Sequence, residues 1–120
     1  MGMDMIHYAG DSVVTGSEIA RALLDYAQAL AQDGSSATVD VPVIDADGTE
    51  ARWEVLVGPA SQITSLETDW DGPELRDDML VARLRRQADQ LRQRATSAAV
   101  ATEDPTFGGA PQSWNDFDNI

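Results

Sequence analysis

The chain has 120 residues and a formal net charge of −13, from 21 acids against 8 bases, and every base is arginine. That length supports one domain, burying roughly two-thirds of the unfolded surface on folding. With no cysteine, disulfides, thiol nucleophiles and thiolate metal sites are excluded, and the acidity disfavours phosphate backbones and anionic membranes as partners.

The first residues, Met1 to Ile6, have neither a basic segment nor a long apolar run, so no signal peptide is expected. No run approaches the ~18 apolar residues of a membrane span. The expectation is a soluble, cytoplasmic protein. Its positive charge is concentrated: Arg76, Arg83, Arg85, Arg86, Arg92 and Arg94 all fall within residues 76–94.

In chain order, Met5 to Ala9 and Ser12 to Val14 are β-prone, and Gly10-Asp11 between them suits a two-residue type II′ hairpin. Thr15-Gly-Ser-Glu18 has the form of a capping box, with Thr15 as N-cap, Glu18 reaching back, and Val14 and Ile19 as a hydrophobic staple. The first helix then carries one apolar stripe through Ile19, Leu23, Tyr26, Ala27 and Leu30, widened by Ala20, Leu24 and Ala31. Gly34 supplies the left-handed residue that ends it.

Ala37 to Val57 contains the strongest hairpin signal, two runs rich in β-branched and aromatic residues around Asp45-Ala-Asp-Gly48. A two-residue loop would put Val43 opposite Arg52 and split the apolar faces. A three-residue loop, Ala46 to Gly48, pairs Val43 with Ala51, Val41 with Trp53 and Val39 with Val55, with Gly48 in a G1 bulge. Pro42 cannot donate to a ladder, which places this strand at an edge or at a bulge. Ser61 to Glu67 fits a short strand or a helical turn equally well. Asp69-Trp-Asp-Gly-Pro-Glu74 is a turn into a second helix, with Pro73 in the first turn and Glu74, Asp77 and Asp78 complementing the dipole. Its stripe, Val81, Leu84, Ala88, Leu91, Ala95 and Ala98, has nearly heptad spacing. From Thr102 the pattern stops.

These signals define a single α+β domain over residues 1–101: a small antiparallel sheet of two hairpins packed on an amphipathic helix, with a second long helix. Residues 102–120 form a flexible acidic, aromatic tail. Trp53, Val55, Leu23 and Ile19 are expected at the centre of the core.

Candidate chemistry is sparse. His7 is the sole histidine, and the partners that a triad or a histidine metal site would need cannot be picked out, so it is read as a residue on a strand face. The Asp45–Gly48 and Asp69–Gly72 turns lack the glycine and glutamate positions of a calcium loop and are read as turns. The acids from Glu67 to Asp78 would suit Mg²⁺, but no phosphate-cradling glycine loop accompanies them and helix capping accounts for three of them. No metal and no cofactor is expected. The arginines surround the second helix rather than form one stripe, so nucleic acid is disfavoured. Pairing with the acidic body of the same chain is favoured over a homodimer through the second helix.

The functional expectation is a non-catalytic interaction or adaptor protein. Its partner-binding residues would be Arg83, Arg85, Arg86, Arg92 and Arg94, together with Trp114, Phe117 and Ile120 in the tail. The alternatives are an acidic inhibitor or immunity-type protein that binds a basic partner, and a carboxylate, metal-dependent enzyme.

Overall fold

The computed structural model describes residues 2–102, with side chains as far as Thr96. The elements are β1 (Met3–Tyr8), β2 (Asp11–Gly16), α1 (Ser17–Asp33), β3 (Ala37–Ile44), β4 (Glu50–Val57), β5 (Ile63–Thr68) and α2 (Asp78–Thr102). The strands form one antiparallel sheet in the order β4-β3-β2-β1-β5, packed with two helices, an α+β fold.

The β3–β4 hairpin has the expected register: Val39 pairs with Val55, Val41 with Trp53 and Val43 with Ala51. The Asp45 amide donates to the Thr49 carbonyl at 2.9 Å and the Gly48 amide to the Asp45 carbonyl at 3.0 Å, closing the three-residue loop. Gly48 has φ +81°, where a side chain would be strained. The Asp45 carboxylate accepts from the amides of Asp47 and Thr49 through one oxygen, the pattern of an Asx turn.

The first hairpin differs. Tyr8 pairs with Asp11, so the loop is Ala9-Gly10 rather than Gly10-Asp11. Both residues have positive φ, 54° and 85°, which is a type I′ pattern instead of II′. Val13 and Ile6 gain a shared core-facing position through this register.

The capping box does not form. Thr15 belongs to β2, is fully buried, and donates its hydroxyl to the Pro42 carbonyl at 2.7 Å. Gly16 takes the N-cap position without any side-chain bond, and the Ser17 amide is satisfied by the Gly2 carbonyl at 2.9 Å. A buried hydroxyl with a ladder carbonyl to satisfy outweighs a cap here. The far end of α1 is as expected: Gly34 is left-handed, and its amide and that of Ser35 bond Ala31 and Leu30 in a Schellman pattern.

Pro42 also corrects an expectation. β3 is internal, yet β2 and β3 share a single paired position, Val14 with Ile44. Asp45 and Thr49 are the hydrogen-bonded pair that starts the β3–β4 ladder, so alternation turns the Pro42 nitrogen toward β2. The missing donor therefore falls on the β2 side, and Thr15 bonds the Pro42 carbonyl there with its side chain.

Within Ser61 to Glu67 the strand begins at Ile63, and β5 pairs along the whole of β1. Ile19, Leu23 and Val55 are buried at the centre, with Ile6, Val41 and Val57. Trp53 is instead half-buried at the core's margin, with its ring edge-on to Tyr8 at 6.3 Å. Between β5 and α2 the backbone crosses so close to Gly16 that a Cβ there would lie 1.9 Å from the Leu75 carbonyl oxygen.

Candidate interaction surface on the second helix

α2 starts later than its sequence suggests. Asp77 caps it, its carboxylate accepting from the Leu80 amide at 3.0 Å, while Pro73 and Glu74 remain in the connector. Acids before the first turn satisfy orphan amides without being helical themselves. Leu80, Leu84 and Ala88 are buried, and Val81 and Leu91 pack against the same cluster. The stripe is therefore spent within the chain. Ala95 is exposed, and the side chain of Ala98 lies outside the described residues.

The arginines separate into two groups. Arg92 bonds the Asp25 carboxylate of α1 at 2.5 Å, and Arg85 approaches its other oxygen at 3.4 Å. Arg94 meets Asp33, the last residue of α1, at 2.6 Å. The Arg92 hydrogen bond is the main influence holding Asp25 below the usual carboxylate range; burial opposes it, and the charges of Arg92 and Arg85 add to it. Asp33 is lowered too, first by the Ser35 hydroxyl and then by Arg94. Arg83 and Arg86 make no ion pair among the described residues and are exposed; Arg83 borders a concavity shared with Tyr26 of α1 and Asp40 of β3, and Arg86 lies on the outward side of α2. Met79, one turn before Arg83, is 84% exposed. Trp114, Phe117 and Ile120 lie outside the described residues.

Of the five arginines singled out in the sequence, three join the helices, Arg83 borders the concavity toward β3, and Arg86 faces outward. Reasoning from sequence did not identify Asp25 as the acceptor of two arginines. Its only signal was an acid beside the apolar stripe, between Leu24 and Tyr26.

Elsewhere, the His7 ring nitrogen Nδ1 shares a 2.7 Å hydrogen bond with the Ser12 hydroxyl, directly across the β1–β2 ladder. No carboxylate bonds that ring among the described residues, so nothing fixes its tautomer as a triad would. Trp70 donates its indole N–H to the Pro73 carbonyl at 3.0 Å, which closes the Asp69–Gly72 turn on itself. Among the described residues, no three histidine or acidic side chains come together as a metal site. An open concavity of about 760 Å³ lies between the first hairpin and the β4–β5 loop. Tyr8 spans it, donating to the Leu56 carbonyl and sharing a 2.9 Å hydrogen bond with Ser61. No Asp, Glu or Arg lines it.

Compared with family models, curated proteins and solved structures, the chain matches none. Among the described residues, no helix is long and apolar enough to cross a membrane.

Proposed function

We propose that this is a non-catalytic interaction protein of the cytoplasm that presents the outward face of α2 to a protein partner. The observation that carries this is the division of the arginines. Arg85, Arg92 and Arg94 hold α2 on α1, while Arg83 and Arg86 stand exposed beside Met79. In a chain of net charge −13, exposed arginines that make no ion pair among the described residues form a distinct patch. Arginine and methionine on one helix face suit a partner offering carboxylates around an apolar contact. The helix also continues: Arg94 is level with the end of α1, so residues 95–102, about two turns, extend beyond it.

Affinity capture from native extract tests this with the full chain, the Arg83→Glu/Arg86→Glu double variant, and a chain ending at Ala101. Loss of a specific partner with the charge-reversed pair supports the α2 face. Loss only on truncation transfers the role to Trp114, Phe117 and Ile120. Identical capture by all three refutes both.

A second function follows from the charge itself. The exposed acids Glu50 and Glu54 on β4, with Asp47 at the adjoining turn, suit the inhibitor or immunity-type alternative and a basic partner. That association would weaken steeply with salt.

A further inference from the structure

We propose that the chain's own acidic, aromatic segment, Trp114 to Asp118, folds back onto an outward stripe of α2 and covers it until a partner displaces it. This deepens the reading given above and rests on the same side of the helix. Met79, Arg83, Arg86, Gln90 and Gln93 follow one another at steps of four, three, four and three residues. They therefore form a second stripe, turned away from the buried Leu80, Leu84 and Ala88, and all five are exposed.

No acid stands on this stripe. The acids of α2, Asp78 and Asp89, lie on the flank of Arg85 and Arg92, and each already has an arginine at 3.6 Å, Arg76 and Arg92 respectively. Asp40, which borders the same concavity as Arg83, is held by Arg52 at 3.2 Å. The stripe thus offers two arginines whose neighbouring acids are engaged elsewhere. Met79 at its start is 84% exposed and adds an apolar contact.

The occupant follows from charge and from chain length. Residues 103–120, which lie outside the described residues, carry four acids and no base, with Phe107, Trp114 and Phe117 among them. Arg86 is 16 residues before the end of α2, about 24 Å at 1.5 Å per residue, so Glu103 and Asp104 cannot turn back to it. Asp116 is 14 residues past that end, and an extended chain of this length reaches about 46 Å. Asp116 and Asp118 therefore reach Arg86 and Arg83 with length to spare for a turn, which Gly108-Gly109 permits. In this antiparallel order Trp114 falls beside Arg86, where its ring suits a guanidinium, and Ile120 falls toward Met79. Tethering puts the segment at an effective concentration on the order of millimolar, so a few exposed contacts suffice to hold it. A partner must outcompete this segment, which defines its chemistry as carboxylates set between aromatic or aliphatic anchors.

Because the chain lacks cysteine, a nitroxide attached at Asn115→Cys reports on this docking in the full chain. Paramagnetic broadening of backbone amides should peak between Arg83 and Gln90 and be weaker at Thr102. Arg83→Glu/Arg86→Glu should lower the docked-to-free ratio by ~3–10-fold, and adding Asp116→Arg/Asp118→Arg should restore it. Broadening that falls steadily from Thr102 toward Met79, or a peak indifferent to the charge reversal, would overturn the proposal. Broadening carried between separately labelled molecules would also overturn it, and would assign the segment to a second copy. Should the charge-reversed helix fail to fold by circular dichroism, Asp116→Asn/Asp118→Asn, which leaves the body unaltered, decides by the same loss. In native extract, that tail variant should capture ~3–10-fold more partner than the unmodified chain, and unchanged capture would overturn the masking. The two readings fail separately: capture through Arg83 and Arg86 without the broadening peak removes this inference alone, and the peak without any capture removes the partner reading.

Discussion

Asp25 is where the joint between the two helices is most open to test. Its side chain is 22% exposed and accepts Arg92 at 2.5 Å and Arg85 at 3.4 Å. Two unit charges ~4 Å apart attract by ~4 kcal/mol at an effective dielectric of ~20. The arginines are 38% and 45% exposed, however, so water screens most of that attraction and side-chain ordering opposes the remainder. Exposed pairs retain ~0.2–1 kcal/mol, and the short charge-assisted bond puts Asp25–Arg92 near the top of that range, at ~1 kcal/mol. The longer Asp25–Arg85 contact should retain a few tenths of a kcal/mol. A double-mutant cycle with Asp25→Ala and Arg92→Ala, read by urea unfolding at pH 7 and low salt, isolates the coupling. The coupling should shrink in ~1 M salt, where the Debye length is ~3 Å. Zero coupling for Arg92, or a larger value for Arg85, would refute the reasoning.

Three further outcomes follow from the same geometry. Asp25 and Asp33 both titrate lower in the folded state than unfolded, so they contribute stability above the ordinary aspartate range that is lost as pH falls through their lowered values. Unfolding free energy should be flat near neutrality and decline below about pH 4, with a shallower decline in Asp25→Ala; an unchanged acid limb in that variant would contradict this. Gly16→Ala drives a Cβ into the Leu75 carbonyl and should cost ~3 kcal/mol in chemical denaturation, and a wild-type midpoint would show that the connector yields freely. Ala9 is the one described non-glycine residue with positive φ, so Ala9→Gly should raise the unfolding free energy by ~0.5–1 kcal/mol; a loss of stability would mean that Ala9 is not left-handed.

How much of this was legible in sequence depends on whether local or distant atoms decide each feature. The β3–β4 hairpin was readable to its register because apolar alternation on both sides of Gly48 leaves one consistent pairing. Gly34 was readable because a helix end needs a left-handed residue. The Thr15 capping box was a strong local signal that lost to a distant partner, the Pro42 carbonyl. Pro42 likewise suggested an edge strand or a bulge, and the fold keeps β3 inside the sheet with the β2–β3 ladder interrupted. Ser61 to Glu67 has no period that distinguishes strand from helix, and only pairing with β1 settles it. On α2, the arginines were visible as a group. Their division into helix-joining and outward residues was not, because it depends on where Asp25 and Asp33 fall along α1.

The central claim is that the outward face of α2 is what a partner touches. A photo-crosslinking residue in place of Arg86, compared with one in place of Glu50 on β4, tests it in native extract. The account predicts a specific adduct from position 86 that an excess of unlabelled protein competes away, and none from position 50. An adduct from position 50 alone would contradict it and move the binding surface to the acidic edge of the sheet.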